Sequence, residues 1–161
     1  MFRIDLKAET ALTALRKLKA GVADMTPAMQ EIGEFLVLQT QDRFDTGLSP
    51  DGIPWAPKTA ATLAAYARGP DRFDTRPLIK TGTMRRTIFY QATATTTLVA
   101  SNAIQAAVMQ GGAAKGAFGA TAGGVPIPFG NIPARPFIGL SEEDEAGIVA
   151  IVEEWLTDIV D

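Results

Sequence analysis

The sequence contains no cysteine and no histidine among its 161 residues. The absence of cysteine excludes disulfide bonds, thiolate nucleophiles, iron–sulfur clusters and cysteine-ligated zinc. The absence of histidine removes the commonest general base near neutral pH and the commonest ligand of transition metals. Serine–histidine and cysteine–histidine catalysis cannot occur within such a chain. We therefore expect no enzymatic activity and no cofactor or metal site.

The sequence also lacks a long hydrophobic run. No segment approaches the roughly 18 consecutive apolar residues of a membrane span. Residues 1–7 alternate charged and apolar side chains, unlike a secretory signal peptide. Apolar residues make up 47% and charged residues 20% of the chain, values typical of a globular protein. We expect one soluble domain over residues 1–161, made and kept in a cytoplasm or in an assembly derived from one.

Charge is distributed unevenly, although the net charge is only −3. Residues 58–86 carry seven basic side chains against two aspartates, a balance of +5. Residues 136–161 carry eight acidic side chains and no basic one. Complementary blocks favour contacts between copies of the chain or with neighbouring proteins. They fit two solvated faces of a monomer equally well, because charge bears on association rather than on fold.

Two amphipathic helices are predicted in the first part of the chain. Apolar residues three or four apart indicate a helix over residues 5–22. Thr26-Pro27 is typical of a cap followed by the first helical residue of a second helix, which runs to about Phe44. Residues 45–57 are rich in proline and glycine and predict a loop with fixed turns. We expect Trp55 to anchor this loop against the helices.

The middle of the chain predicts shorter elements. A short helix is expected over residues 59–66, and residues 78–88 predict a turn leading into a strand. β-Branched and aromatic residues indicate a hairpin of residues 87–92 and 95–101. Asn102 is a candidate cap for a short helix over residues 103–110.

Residues 111–131 contain seven glycines and are costly to order, so this segment should be mobile unless a partner holds it.

The last helix has the clearest sequence pattern. Ser141 is a candidate cap, Asp144 lies at the capping-box position, and residues 148–159 carry one apolar stripe. Together these elements predict an α+β fold. A small antiparallel sheet should pack against two or three helices, with long irregular loops.

Six short motifs occur in order over residues 40–140, and an acidic helix follows them. They are Arg43-Phe44, residues 51–57, residues 59–62, residues 78–88, Gln110-Gly111-Gly112 and residues 132–139. In this order and spacing the sequence resembles the phage virion morphogenesis family. It departs from the family pattern over residues 105–110, which lack the tyrosine and histidine that usually precede the double glycine.

The resemblance implies a structural protein of a tailed phage or prophage that acts in tail completion or tail termination and in head–tail joining. Relatives of this kind look like small α+β subunits that close into rings, commonly hexamers, at the head-proximal end of the tail. The implied partners are further copies of the chain, tail tube or sheath proteins and neck proteins. The implied location is the tail or neck of the virion, after assembly in the host cytoplasm.

We expect the interface to use residues of the charged blocks and of the Ala-Arg-Pro-Phe motif. The candidate interface residues are Arg76, Lys80, Arg85, Arg86, Arg135, Glu142, Glu143 and Asp144.

Three alternatives remain open at this point. The first is a head-side neck protein, such as a stopper or adaptor. The second is non-specific contact with DNA in the lumen of a ring, with Arg85 and Arg86 as first candidates, although the pI of about 5.0 is unlike that of a nucleic-acid-binding domain. The third is an enzyme that uses a carboxylate pair, Asp42 with Asp45 or Glu153 with Glu154. Adjacent helical residues point in different directions, whereas glycosidases need two carboxylates facing one cleft.

Overall fold

A computed structural model describes residues 8–69 and 73–160. Within these ranges six helices and one two-stranded antiparallel sheet form an α+β fold, as predicted. The helices are α1 (Glu9–Ala23), α2 (Thr26–Thr46), α3 (Ala60–Arg68), α4 (Thr83–Arg86), α5 (Ala106–Gly111) and α6 (Glu142–Val160), and the strands are β1 (Ile88–Ala92) and β2 (Thr97–Ser101). No helix in the described ranges is long and apolar enough to cross a membrane.

Helix α2 is the central element because both strands and α6 pack against it. Gly33 brings the sheet close to the helix: a Cβ atom at this position would lie 2.2 Å from the ring of Tyr90. The Tyr90 hydroxyl donates a hydrogen bond to Glu34 at 3.2 Å. On β2, the Thr97 hydroxyl donates to the carbonyl of Met29. These contacts fix the position of the sheet on α2.

The predicted hairpin is confirmed, with Ile88 paired to Ser101 at one end and Ala92 to Thr97 at the other. Its turn is longer than predicted, since residues 93–96 connect the strands. The Thr93 amide donates to the carbonyl of Thr96 at 2.8 Å, and the Thr93 hydroxyl accepts from the Thr96 amide at 3.1 Å. Threonine hydroxyls stabilise such turns locally, which removes two residues from the predicted second strand.

The first two helices differ from the prediction at their starts. Helix α1 begins at Glu9, and residues 5–7 of the predicted helix lie outside the described ranges. Thr26 is the first residue of α2 rather than its cap. The carboxylate of Asp24 performs the capping, because it accepts hydrogen bonds from the Thr26 amide at 3.0 Å and from its hydroxyl.

One prediction in the middle of the chain is wrong and another is incomplete. Asn102 does not cap a helix, since α5 begins only at Ala106 after a turn in which the Ala106 amide donates to the carbonyl of Ala103. Residues 78–88 lead through turns into β1 as predicted, but they also contain the one-turn helix α4. The buried side chain of Met84 holds α4 against the core, a long-range contact that no local pattern shows.

An aromatic cluster forms the centre of the core. The ring of Phe44 contacts Trp55 and Phe137 edge-on, with centroid separations of 5.6 and 5.4 Å. Ile79, Met84 and Ile88 complete the cluster. The indole N–H of Trp55 donates to the carbonyl of Pro136 at 2.8 Å. The prediction that Trp55 anchors its loop against the helices is confirmed for α2, through Phe44.

A buried ion pair joins α2 to α6. The guanidinium of Arg43 donates to the carboxylate of Asp144 and to the carbonyls of Phe137 and Gly139, at 3.1 and 2.9 Å. The Asp144 carboxylate, only 2% exposed, also accepts from the Ser141 amide at 2.7 Å. The Ser141 hydroxyl accepts in turn from the Asp144 amide at 3.1 Å. The predicted capping box is confirmed, and one of its members is also the partner of a buried arginine.

Helix α1 lies at the periphery of the fold. It packs against α6, where Ile159 lies over Gly21, but none of its side chains is buried. Leu12 and Leu15, on the predicted apolar face, remain exposed. This helix therefore contributes little to the core of the described structure.

Replacing Asp144 with alanine should lower the free energy of unfolding by about 3–5 kcal/mol, because the buried Arg43 would lose its counter-charge. The start of α6 would lose its cap as well. Glu153→Ala, an exposed change on the same helix, should cost less than about 0.5 kcal/mol. Urea denaturation of both variants measures the difference. Equal stabilities would show that the ion pair is dispensable.

Candidate functional site

The motifs that carry the resemblance meet at residues 132–139. The guanidinium of Arg135 donates to the carbonyls of Ala56 and Pro57, at 2.7 and 3.0 Å, and its amide donates to the carbonyl of Met109 at 2.7 Å. Phe137 enters the core. The segment 132–139 is thus held by the loop before α3, by α5 and by the end of α2.

The side chain of Gln110 makes hydrogen bonds that the sequence did not predict. Its side-chain oxygen accepts from the amides of Phe137 and Ile138, at 2.9 and 3.1 Å, and its nitrogen donates to the Ile138 carbonyl at 2.7 Å. Gly112 follows with φ of +73°, and a Cβ atom there would lie 2.7 Å from the Ile132 carbonyl oxygen. The Gln-Gly-Gly motif therefore holds the 132–139 segment in place. The position of Gln110 before the double glycine was the only sign of this role in the sequence.

A groove with positive charge opens on one side of this segment. It has a volume of about 320 Å³ and lies between α3, α4, α5 and the start of the 132–139 segment. We call it the cationic groove, after Lys58, Lys80 and Arg135 among its lining residues. Its apolar lining is formed by Leu78, Ile79, Met84, Met109 and Ile132.

The cations of the groove are partly removed from water. The ammonium of Lys58 donates to the carbonyls of Asp74 and Ile79 and lies 4.8 Å from the ring centroid of Tyr66. Burial lowers the pKa of Lys58 from its ordinary value, the Asp74 carboxylate partly opposes this, and Arg135 and Lys80 lower it further. Burial also lowers the pKa of Arg135. Positive charge is therefore held in this groove at an electrostatic cost.

A second, wider hollow is acidic. It measures about 860 Å³ and lies between the C-terminal end of α2, residues 48–52 and the start of α6. We call its edge the acidic rim, defined by the exposed carboxylates Asp42, Asp51, Glu142, Glu143 and Glu145. Leu140, 50% exposed, lies beside them. The groove and the hollow share no lining residue.

Five of the eight candidate interface residues are exposed: Lys80, Arg76, Arg86, Glu142 and Glu143. Arg85 is half-buried. The remaining two, Arg135 and Asp144, are only 8% and 2% exposed. Asp144 pairs with Arg43 inside the subunit, whereas Arg135 lies in the wall of the cationic groove.

Part of the positive block is neutralised within the chain. Arg85 and Arg76 both pair with the carboxylate of Asp45, at 2.8 and 3.4 Å. Arg76 also pairs with Asp74 at 2.7 Å, which lowers the pKa of Asp74 through hydrogen bonds from Arg76. Arg86 donates to the carbonyl of Thr81 at 3.1 Å. Lys80, which lies 4.7 Å from the Phe73 ring centroid, is an exposed cation of the groove.

All four residues of the candidate carboxylate pairs are exposed. Asp45 serves as the partner of two arginines, and Glu153 and Glu154 are exposed on α6. Within residues 8–69 and 73–160, no group of three or more carboxylates could hold a metal ion.

Asp45→Asn should change the free energy of unfolding by less than about 1 kcal/mol, because its ion pairs are exposed. It should nevertheless add positive charge to this surface by freeing Arg76 and Arg85. Thermal denaturation of Asp45→Asn beside Asp42→Asn, an exposed aspartate of the same helix, measures the effect. A loss of several kcal/mol for Asp45→Asn alone would show that the arginine pair is structural.

Comparison with known proteins places the chain in a family. The sequence model of the phage virion morphogenesis family matches residues 6–157, which is nearly the whole chain. No curated protein and no solved structure matches it. A match of this length points to a virion-associated protein with a structural or assembly role rather than a catalytic one. The chain belongs to the phage virion morphogenesis family.

Proposed function

We propose that this protein is a structural subunit of the phage tail, which completes or terminates the tail at its head-proximal end and joins it to the head. Copies of the chain associate head to tail into a ring, with six subunits as the expected number. Tail tube or sheath proteins lie on one side of the ring and neck proteins on the other. DNA passing through the lumen is contacted without sequence specificity.

The observation that carries this proposal is the separation of opposite charge on one subunit. The cationic groove and the acidic rim involve different elements and share no lining residue. A contact between two different surfaces repeats from copy to copy and closes into a ring when the rotation permits. Complementary potentials fix the register of such contacts and accelerate encounter.

The glycine-rich segment 111–131 offers a further contact surface. Its two ends are joined by backbone pairing of Ala113 with Ile132, and Ala120 pairs with Pro126 nearer its tip. Phe118 and Phe129 are both exposed on it. Exposed aromatic side chains on a segment with little packing of its own are suited to burial against another protein. We assign this surface to a tail or neck partner.

Salt should dissociate the assembly. At about 0.01 M salt the charges act over about 30 Å, whereas at about 1 M they act over only about 3 Å. Light scattering coupled to size-exclusion chromatography should therefore give an oligomer at low salt and a smaller mass at high salt. A protein that remains monomeric at both salt concentrations and at high protein concentration would contradict head-to-tail charge pairing.

The particles made by a phage that lacks this protein should distinguish the tail role from the head-side role. Without a subunit that terminates the tail, tails should vary in length and remain unattached, as seen by electron microscopy. Without a head-side stopper, tails of normal length should accumulate beside heads that lose their DNA. The second outcome would replace tail completion with the stopper or adaptor role, while the structural role in the virion would stand.

A further inference from the structure

We infer that the cationic groove receives residues 140–143 of a neighbouring copy of this chain. This inference rests on the head-to-tail association proposed above and names the two surfaces that form it. The receiving surface is the cationic groove. The entering surface, which we call the 140–143 segment, is Leu140, Ser141, Glu142 and Glu143.

The chemistry of the two surfaces is complementary. The groove combines an apolar lining with the cations Lys58, Lys80 and Arg135. The 140–143 segment combines a half-exposed leucine with two exposed glutamates. Leu140 would pack against the apolar lining, and the carboxylates of Glu142 and Glu143 would pair with the cations. Each buried group would then have a suitable partner.

The surroundings of the three groove cations favour the binding of an anion. Lys58 and Arg135 are partly desolvated, and their hydrogen bonds go to backbone carbonyls rather than to carboxylates. Within the described ranges, none of the three groove cations forms an ion pair with a carboxylate. A glutamate from outside would offset the repulsion among Lys58, Lys80 and Arg135.

Size favours the 140–143 segment over the remaining acidic residues. The groove of about 320 Å³ lies at the lower end of the range of about 300–1,000 Å³ for ligand pockets. It can hold a few side chains but not a helix, whose diameter is about 10–12 Å. Leu140 and Ser141 precede α6, and Glu142 and Glu143 are its first two residues, whereas Glu153 and Glu154 lie midway along it. The first residues of a helix, with the loop before them, can enter where the side of a helix cannot.

Three variants test the contact one surface at a time. Lys80→Glu reverses the exposed cation of the groove without touching the internal hydrogen bonds of Lys58 and Arg135. Glu142→Gln/Glu143→Gln neutralises the 140–143 segment. Leu140→Ala keeps every charge and removes only the apolar side chain. Lys19→Glu on α1 and Glu153→Gln/Glu154→Gln on α6 are matched controls, because they make the same charge changes at exposed positions elsewhere.

Analytical ultracentrifugation at low salt should show each of the three variants self-associating at least about tenfold more weakly than the unmodified protein. The two controls should associate within about twofold of it, with all melting temperatures measured to exclude unfolding. The loss in Leu140→Ala distinguishes docking into the groove from general attraction between charged surfaces, which this change would not alter.

Mixing two defective variants is the decisive step. Lys80→Glu retains an intact 140–143 segment, and Glu142→Gln/Glu143→Gln retains an intact groove. An equimolar mixture should therefore form dimers of one copy of each and nothing larger, because only one functional contact is available per pair.

The outcomes separate this inference from the proposed function. Oligomers that persist in all three variants, or that are lost in Glu153→Gln/Glu154→Gln instead, would overturn the groove contact while head-to-tail assembly stands. A mixture that forms no dimer would also overturn the groove contact and leave head-to-tail assembly standing. If the unmodified protein does not associate at low salt, both the assembly and this contact are overturned.

Discussion

The ion pair between Arg43 and Asp144 determines how the parts of this fold fit together. The two residues are 101 positions apart in sequence, and both side chains are almost fully removed from water. Charges in such a position must be satisfied completely, because a single unpaired buried charge is strongly destabilising. Arg43 meets this requirement only when α6 and the carbonyls of Phe137 and Gly139 are all in place. The pair therefore couples the end of α2, the 132–139 segment and the start of α6 in one arrangement.

Directional hydrogen bonds to one irregular segment supplement a small apolar core. Trp55, Gln110 and Arg135 join the 132–139 segment to the loop before α3 and to α5, as Arg43 joins it to α2. An irregular segment has no partner strand or helix to satisfy its backbone groups, so side chains of other elements must do so. The groove and the hollow lie at opposite ends of this segment in sequence: Arg135 lines the first and Leu140 the second. The same hydrogen bonds thus shape both candidate contact surfaces.

The sequence predicted the features that depend on local spacing. Periodicity predicted helices α2 and α6, and strand composition predicted the hairpin. Capping chemistry within a few residues predicted the reciprocal hydrogen bonds of Ser141 and Asp144. The arginine that pairs with Asp144 and the role of Gln110 could not be predicted, because both depend on residues distant in the chain. For the candidate site, charge predicted the sign of each surface but not exposure. Asp144 is buried inside the subunit and Arg135 lies almost covered in the wall of the groove, whereas Lys80, Glu142 and Glu143 are exposed.

Neutralisation inside the subunit reduces the positive block to a few groups. Asp45 takes up Arg76 and Arg85, so among the described residues of the block Lys58, Arg68, Lys80 and Arg86 are left to attract a neighbour. A groove of about 320 Å³ holds only a few side chains, whereas stable interfaces use about 20–30 residues from each partner, so a single contact between two copies should be weak. In the proposed ring each copy makes two such contacts, and a copy held on a tail presents them at high effective concentration. Ring closure would therefore stabilise the assembly more than one pairwise contact suggests, both on the tail and in concentrated solution at low salt.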